Sequence, residues 1–98
     1  MTIDWNAITR EVLQRDGPMC GCCGQKPATE RHHAIIRRDA RFAKVLDTAI
    51  NISLVCSRCH MEGKCDTPEY RDAHIDRVGR EAVREWVARL PLKVKPRI

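Results

Sequence analysis

The sequence predicts one small α+β domain, in which helices at both ends flank two short strands. The chain has 98 residues, which is too few for two independent hydrophobic cores. Apolar residues recur at helical spacing near both ends of the chain, and two short extended segments lie between them. Six cysteines are many for this length and indicate that packing alone does not hold the domain together.

The first helix is predicted over residues 4–15. Three apolar residues in this segment recur at helical spacing: Trp5, Ile8 and Val12. Thr2 or Asp4 could cap the start of the helix, and the residues Asp-Gly-Pro at 16–18 end it. Trp5 is expected to be a core residue.

The middle of the chain is predicted to contain both strands. A turn rich in cysteine and glycine at 18–27 precedes the first extended segment at 28–36. A basic connector with a short helix, residues 37–50, leads to the second strand at 51–56.

Two helices are predicted directly after the second strand. One begins near Ser57 and runs to about Lys64. The other begins at Thr67, whose hydroxyl caps it ahead of a proline and a glutamate, and it ends before Gly79.

The last helix is predicted over roughly 80–90. Its apolar face consists of Val83, Trp86, Val87 and Leu90, so Trp86 is also expected in the core. Pro91 ends this helix, and the basic tail at 93–98 is expected to be loose.

The cysteines form two C-x-x-C pairs, which is the spacing of metal-binding turns. Cys20 and Cys23 form the first pair, and Cys56 and Cys59 form the second. Each turn aims two sulfurs at one point, so the four thiolates predict the closed tetrahedral shell of a structural zinc ion. Such an ion contributes on the order of 10–16 kcal/mol in small peptides, enough to stabilise a domain of this size.

The alternatives for the cysteines are free or buried thiols and a thioredoxin-like redox pair. A redox fold needs a β-α-β pattern after the first pair, and the sequence has none. Cys22 could replace Cys20 or Cys23 as a ligand, whereas Cys65 is expected to be a bystander.

The charge balance favours a polyanionic partner. The chain has a formal net charge of +5, and residues 31–44 hold five positive charges and one negative charge. No apolar run is long enough for a membrane span, so no membrane partner is expected. Asp4 and Glu11 interrupt what would be the apolar segment of a signal peptide, so a cytoplasmic location is expected.

Histidines and one asparagine lie between and beside the cysteine pairs. His32 and His33 are adjacent on the first predicted strand. Asn51 opens the second strand, and His60, nine residues later, directly follows the second cysteine pair. Over about residues 20–64 this arrangement resembles the HNH endonucleases, members of the ββα-metal (His-Me finger) nucleases, in the small phage and bacterial type with flanking C-x-x-C pairs.

The resemblance implies a zinc-stapled ββα-metal motif and a one-metal phosphodiesterase. His33 would be the general base that takes a proton from water, since the pKa of histidine lies near neutral pH. His32 and His60 would hold a catalytic divalent cation that stabilises charge on the departing oxygen. Asn51 would brace the loop and orient His33 by side-chain hydrogen bonds. Mg²⁺ or Mn²⁺ is favoured for this site, with Ni²⁺ or Zn²⁺ as alternatives.

The substrate that the resemblance implies is double-stranded DNA, in a bacterial or phage-infected cell. Basic residues that flank the motif would contact its phosphates without reading sequence: Arg31, Arg37, Arg38, Arg41 and Lys64. In the simpler interpretation, the arginines form a solvated face.

The motif also sets conditions on the site. Adjacent strand residues face opposite sides, so His32 and His33 can share one site only if the strand twists or ends there. Lys64 stands where some members of the family carry another histidine, which leaves the cation two imidazole ligands besides water and phosphate. Glu30 shares a face with His32 and could be a ligand or a hydrogen-bond partner of one.

Two alternative functions are a non-catalytic, treble-clef-like zinc module that binds nucleic acid or a protein, and an accessory subunit of a phage DNA-processing complex. A zinc module needs neither His33 nor Asn51, so these two residues separate the alternatives. In a simpler interpretation, Asn51 is a turn or cap residue, and the histidines of the motif lie on the surface or complete the zinc shell. His74 lies outside the motif and is expected to be structural. The oligomeric state is open.

Overall fold

The structure, a computed structural model, describes residues 3–95 and is a small α+β domain with a two-stranded antiparallel sheet. Its helices and strands are α1 (Trp5–Asp16), β1 (Glu30–His33), α2 (Ala43–Leu46), β2 (Ile52–Val55), α3 (Ser57–Met61), α4 (Pro68–Val78) and α5 (Arg80–Ala88). Short 3₁₀ helices lie at Ala40–Phe42 and Leu92–Val94. Within the described range, none of the helices has the length and apolar character to cross a membrane.

The two strands pair over four residues each, and His33 at the end of β1 lies opposite Ile52 at the start of β2. All four residues of β2 are buried, three of them aliphatic, and the hydroxyl of the buried Ser53 accepts a hydrogen bond from Tyr70 at 2.9 Å. β1 is shorter than the predicted segment 28–36, since pairing with β2 ends at His33. The backbone N–H groups of Ile35 and Ile36 donate instead to the Asn51 side-chain oxygen. A two-stranded sheet is marginal alone, so the surrounding elements must stabilise it.

Helix α1 packs against β2 and is fixed at both ends. Asp4 is the N-cap, because its carboxylate accepts a backbone N–H of the first turn at 3.1 Å, whereas Thr2 lies outside the described residues. The helix ends at Gly17, whose φ of +80° favours glycine. Arg15 donates hydrogen bonds to two carbonyl oxygens at and just before the start of β2.

Side-chain caps begin helices α3 and α4. Cys56 Sγ accepts a backbone N–H at the start of α3, and the Thr67 hydroxyl accepts one at the start of α4, the latter as predicted. Helix α3 ends at Met61, short of the predicted Lys64, because Gly63 adopts a φ of +72° and turns the chain.

The C-terminal helix closes the main apolar core. The buried residues of this core are Ile35, Leu46, Ile75, Val83, Trp86, Leu90 and Val94. Trp86 is therefore a core residue, as predicted. Helix α5 ends at Ala88, two residues earlier than predicted, and the chain continues through Leu90 in a tighter turn.

The prediction of a loose tail is wrong for the described part of that segment. Leu92–Val94 form a 3₁₀ helix, and Val94 is buried in the core. The apolar side chain between two lysines anchors the segment. The rest of the predicted tail, residues 96–98, lies outside the described residues.

His74 is fully buried in α4, outside the motif, as expected for a structural residue. Its Nε2–H donates to the Ile50 carbonyl oxygen at 2.8 Å, whereas Nδ1 has no hydrogen-bond partner among the described residues. Protonation would therefore place a second N–H where no acceptor lies. Burial is the main cause that lowers the pKa of His74 to about 4; Arg15 and Arg77 lower it further, and the Ile50 carbonyl and Asp16 act in the opposite direction.

Stability should fall in mild acid because of His74. Its pKa is lower in the folded state than the ordinary 6.5, so the folded state binds fewer protons below pH 6.5. The stabilisation is complete above that pH, and the free energy of unfolding should fall by about 2 kcal/mol from pH 7 to pH 5 because of this group. His74→Gln keeps a donor for the Ile50 carbonyl and removes the titration, so urea unfolding should give a flatter pH profile. Equal profiles for variant and wild type would exclude His74 as the cause.

Candidate functional site

Four cysteines from the two predicted pairs converge at one point. Their sulfur atoms all lie within 4.8 Å of one another: Cys20, Cys23, Cys56 and Cys59. Among residues 3–95, this is the one group of three or more His, Cys, Asp or Glu side chains whose ligand atoms approach so closely. The predicted grouping is therefore confirmed, and the cluster could hold a metal ion such as zinc.

Backbone N–H groups point at the sulfurs and favour thiolates. Cys20 Sγ accepts the N–H groups of Cys22 and Cys23 at 3.4 and 3.5 Å, and Cys23 Sγ accepts that of Gln25 at 3.5 Å. Although burial acts to raise it, backbone donors lower the pKa of Cys20 to about 6. The N–H of Gln25 is the main cause that lowers the pKa of Cys23. Since metals bind thiolates, the first turn is well prepared for a metal ion.

The sulfurs of the second pair are crowded by other sulfurs, and a bound cation would offset the repulsion between their thiolates. Cys56 Sγ lies 4.0 Å from Cys23 Sγ. Burial, followed by the neighbouring sulfurs, raises the pKa of Cys59. Four sulfurs packed together cannot all carry negative charge without a compensating positive one, so the cluster has the electrostatic character of a cation site.

The other two cysteines lie outside the cluster. Cys22 is half-buried, and its backbone N–H is directed at the Cys20 sulfur. Cys65 is buried, and its Sγ–H donates to the Cys59 carbonyl oxygen at 3.8 Å. Burial is the main cause that raises the pKa of Cys65 to about 11, so this sulfur stays a thiol at neutral pH.

His32 and His60 lie side by side, and one nitrogen of each ring is already engaged. Their ring centroids are 5.4 Å apart. His32 Nε2–H donates to the Cys65 carbonyl oxygen at 2.9 Å, and His60 Nδ1–H donates to the Glu30 carboxylate at 2.7 Å. These acceptors occupy one nitrogen of each ring, so Nδ1 of His32 and Nε2 of His60 are the nitrogens that could ligate a metal ion. Glu30 therefore acts as a hydrogen-bond partner, one of its two predicted roles.

The buried His32 ring is neutral at pH 7. Burial lowers its pKa, although Asp66, whose Oδ1 lies 3.9 Å from Nε2, acts in the opposite direction. Neutral imidazole is the form that binds metal ions.

A carboxylate from the connector holds His33. Its Nε2 lies 2.7 Å from Oδ1 of Asp47, which is buried. The carboxylate accepts the Nε2–H, so Nδ1 is the nitrogen that can take a proton. β1 ends at His33, which meets the condition stated above for a shared site. His32 and His33 have different partners and still line the same cavity.

Asn51 is fully buried and ties the end of β1 to the connector. Its Oδ1 accepts the backbone N–H groups of Ile35 and Ile36 at 3.0 and 2.9 Å. Its Nδ2 donates to the Ile36 and Leu46 carbonyl oxygens, both at 3.0 Å. These bonds tie the backbone after β1 to the connector. The side chain that contacts His33 is the connector carboxylate, so any orientation of His33 by Asn51 acts through the loop.

An open cavity of about 640 Å³ brings the motif histidines together with arginines. Its lining includes all three of these histidines and the arginines Arg31, Arg37 and Arg38. The Arg31 guanidinium stacks on Trp5, 4.1 Å from the ring centroid. Trp5 is half-buried and lines the cavity, so it serves the site as well as the core.

Two residues predicted to contact nucleic acid lie away from this cavity. Arg41 pairs with Asp39 at 2.9 Å, and Lys64 pairs with Glu62 at 3.1 Å. Their ion pairs are exposed, so they are available at the surface without belonging to the histidine cavity.

Two acidic residues of the site, Asp47 and Asp66, belong to no recognisable sequence motif. Asp47 is one of two acids in an otherwise basic connector, and that contrast is the one signal that could have found it. Asp66 follows Cys65, which is not part of a C-x-x-C pair, and no spacing rule singles it out.

The sulfur cluster and the histidine cavity are joined within α3, where Cys59 and His60 are consecutive residues. One assembly is closed and buried, and the other is open and lined by basic groups. Comparison with protein-family models, with curated proteins and with solved structures gave no match for this chain.

Proposed function

We propose that the chain is a metal-dependent endonuclease of the HNH (ββα-metal) class that hydrolyses phosphodiester bonds of double-stranded DNA. The observation that carries the proposal is the placement of three histidines in one arginine-lined cavity, each with one ring nitrogen engaged by an acceptor. The antiparallel pair β1–β2 followed by α3 also agrees with the order of elements in a ββα motif.

Two imidazoles and one carboxylate at the histidine cavity are the proposed ligands of a divalent cation. His32 Nδ1 and His60 Nε2 are the ring nitrogens that the neighbouring acceptors leave free, and the Asp66 carboxylate lines the same cavity. Imidazole and carboxylate together suit Mn²⁺, Ni²⁺ or Zn²⁺, and Mg²⁺ with more water ligands. When bound, the ion supplies Lewis-acid stabilisation of the scissile phosphate and of the departing oxygen. Glu30 fixes the tautomer and the direction of the His60 ring.

His33 acts as the general base in this proposal. Its Nδ1 accepts a proton from the attacking water, and the Nε2–H bond to Asp47 stabilises the imidazolium that forms. Asn51 keeps the end of β1 and the connector together, so that the His33 and Asp47 side chains stay within hydrogen-bonding distance.

The arginines of the cavity position the substrate. Arg31, Arg37 and Arg38 would bind phosphates beside the scissile bond, and stacking on Trp5 limits the freedom of the Arg31 guanidinium. Such contacts carry no sequence information, so the proposed cleavage depends on salt more than on sequence.

The sulfur cluster would hold structural zinc. Two of its four ligands, Cys56 and Cys59, lie at the start and in the middle of α3, so the ion would fix the helix that presents His60. A closed shell of four sulfurs leaves no position for substrate, which separates this ion from the chemistry.

Zinc-loaded protein should nick supercoiled plasmid only when Mg²⁺, Mn²⁺ or Ni²⁺ is added. The variant His60→Ala should lose both nicking and Mn²⁺ binding, while it retains zinc. Mn²⁺ binding is measured by electron paramagnetic resonance. Arg84→Ala is the matched control, because this exposed arginine of α5 lies outside the cavity and should leave cutting unchanged.

Plasmid binding without cutting under every metal would contradict the proposal. That outcome would favour the non-catalytic zinc module. Nicking that appears only after a co-purifying protein is restored would favour an accessory subunit of a larger DNA-processing complex.

A further inference from the structure

A second cavity, of about 430 Å³, lies beside the histidine cavity and carries an excess of positive charge. We call it the basic groove; its basic lining residues are Arg37, Arg38, Arg71, Lys93 and Lys95. The one carboxylate in its lining, that of Asp39, already accepts hydrogen bonds from the backbone and guanidinium of Arg41.

Distant parts of the chain build the basic groove. Arg37 and Arg38 follow β1, and Arg71 lies in α4. The two lysines flank Val94, which is buried in the core, so they are held in place rather than carried on a free tail. Their ammonium groups are exposed on a fixed backbone, an arrangement suited to an extended anionic ligand.

Arg71 has unused hydrogen-bonding capacity. Its Nε is buried and has no hydrogen-bond partner among the described residues. A buried donor without an acceptor is costly, so a shift of the Arg71 side chain towards an anionic oxygen in the groove would be favourable. Arg71 also lines a smaller cavity, of about 240 Å³, together with His32 and His33.

The basic groove is continuous with the histidine cavity. Arg37 lines the histidine cavity, the basic groove and the smaller cavity between them. Arg38 lines the first two. A chain of phosphates could therefore pass from one cavity to the other without leaving positively charged surface.

We propose that the basic groove is a second phosphodiester-binding site, which holds the nucleic-acid backbone beyond the histidine cavity. The choice of nucleic acid rests on the proposed function. A strand whose reacting phosphate lies at the histidines must carry further phosphates past that point, and the shared arginines lead directly to the groove. An isolated anion would gain nothing from this continuity.

The test is the salt dependence of binding, measured by fluorescence anisotropy with labelled duplex DNA. Zinc-loaded protein is used without added divalent cation, so that no cutting is needed. A plot of log K against log salt has a negative slope, and the double variant Lys93→Gln/Lys95→Gln should make that slope shallower by about 2. The matched control Arg84→Gln/Arg89→Gln removes one exposed charge from α5 and one from its C-terminal cap, both outside the groove, and should leave the slope near that of wild type.

Equal slopes for the lysine variant and wild type would overturn the proposal that the groove binds phosphodiesters. That result would not bear on cutting at the histidines. A shallower slope in protein that never nicks DNA would support the groove and count against the proposed function, so the two failures are distinguishable. Single-stranded DNA and duplex RNA are run as separate arms, and a shallower slope in any arm supports phosphodiester binding. Loss of polyglutamate binding with unchanged nucleic-acid binding would overturn the proposal in favour of an acidic protein partner.

Discussion

Nicking of supercoiled DNA is expected to fall by about 10²- to 10⁴-fold when His33 is replaced by alanine. The proposed base then has no substitute, because the proposal assigns the other two motif histidines to the cation. Zinc content and DNA affinity should be retained, since His33 is not a member of the sulfur cluster and the arginines of the cavity remain in place. The measurement is the initial nicking rate at saturating metal, beside anisotropy and zinc analysis.

The alanine variant leaves the buried Asp47 carboxylate without its partner, which can lower stability by itself. His33→Gln is therefore the decisive companion, because its amide can still donate to Asp47 but cannot accept the proton from water. Both variants should be equally defective in cutting, and the glutamine variant should melt closer to wild type. Full nicking by a folded His33→Gln variant would contradict the role of general base.

Replacement of Cys56 by alanine should abolish zinc binding and unfold the domain. Cys56 supplies one of four converging sulfurs, and its loss opens the shell on which this small core depends. Binding of structural zinc contributes on the order of 10–16 kcal/mol in small peptides, more than the stability of a typical domain of this size. Zinc per chain by atomic emission and thermal melting by circular dichroism provide the two readouts.

Cys56 also caps α3, so capping and metal binding must be separated. Cys56→Ser keeps a capping acceptor worth about 1 kcal/mol and should still lose zinc. Cys22→Ala is the matched control, because this cysteine lies outside the group of four sulfurs and should keep both zinc and a native melt. A Cys56→Ala variant with full zinc and a native melting curve would show that the four-cysteine shell is wrong.

The sequence predicts the order of elements well because most of their ends carry local signals. Asp4 and Thr67 cap helix N-termini with their side chains, and Gly17 ends α1 with a positive φ. Each of these signals acts within a few residues. The tail was predicted wrongly because Val94 is fixed by contacts with α5 and the connector, which no local pattern encodes.

The candidate site divides in the same way. The cysteine cluster follows from spacing alone, since each C-x-x-C turn positions two sulfurs before any tertiary contact forms. The partner of His33 could not be foreseen, because Asp47 lies 14 residues away and reaches the ring through the tertiary path of the connector, which Asn51 holds by a hydrogen bond to the Leu46 carbonyl. Arg41 and Lys64 were placed with the phosphate contacts by their charge, yet nearby carboxylates engage both.

The peptide bond between Cys59 and His60 has a consequence for how the protein would acquire its metals. Two of the four clustered sulfurs belong to Cys56 and Cys59, which cap and lie within the helix that carries His60. If these sulfurs hold zinc and the histidines hold a second cation, as proposed, linkage makes occupancy of the zinc site raise the affinity for the second cation. In the proposed nuclease, a cell short of zinc would hold little cutting activity even with abundant Mg²⁺, and zinc supply would govern how much of the enzyme exists in active form.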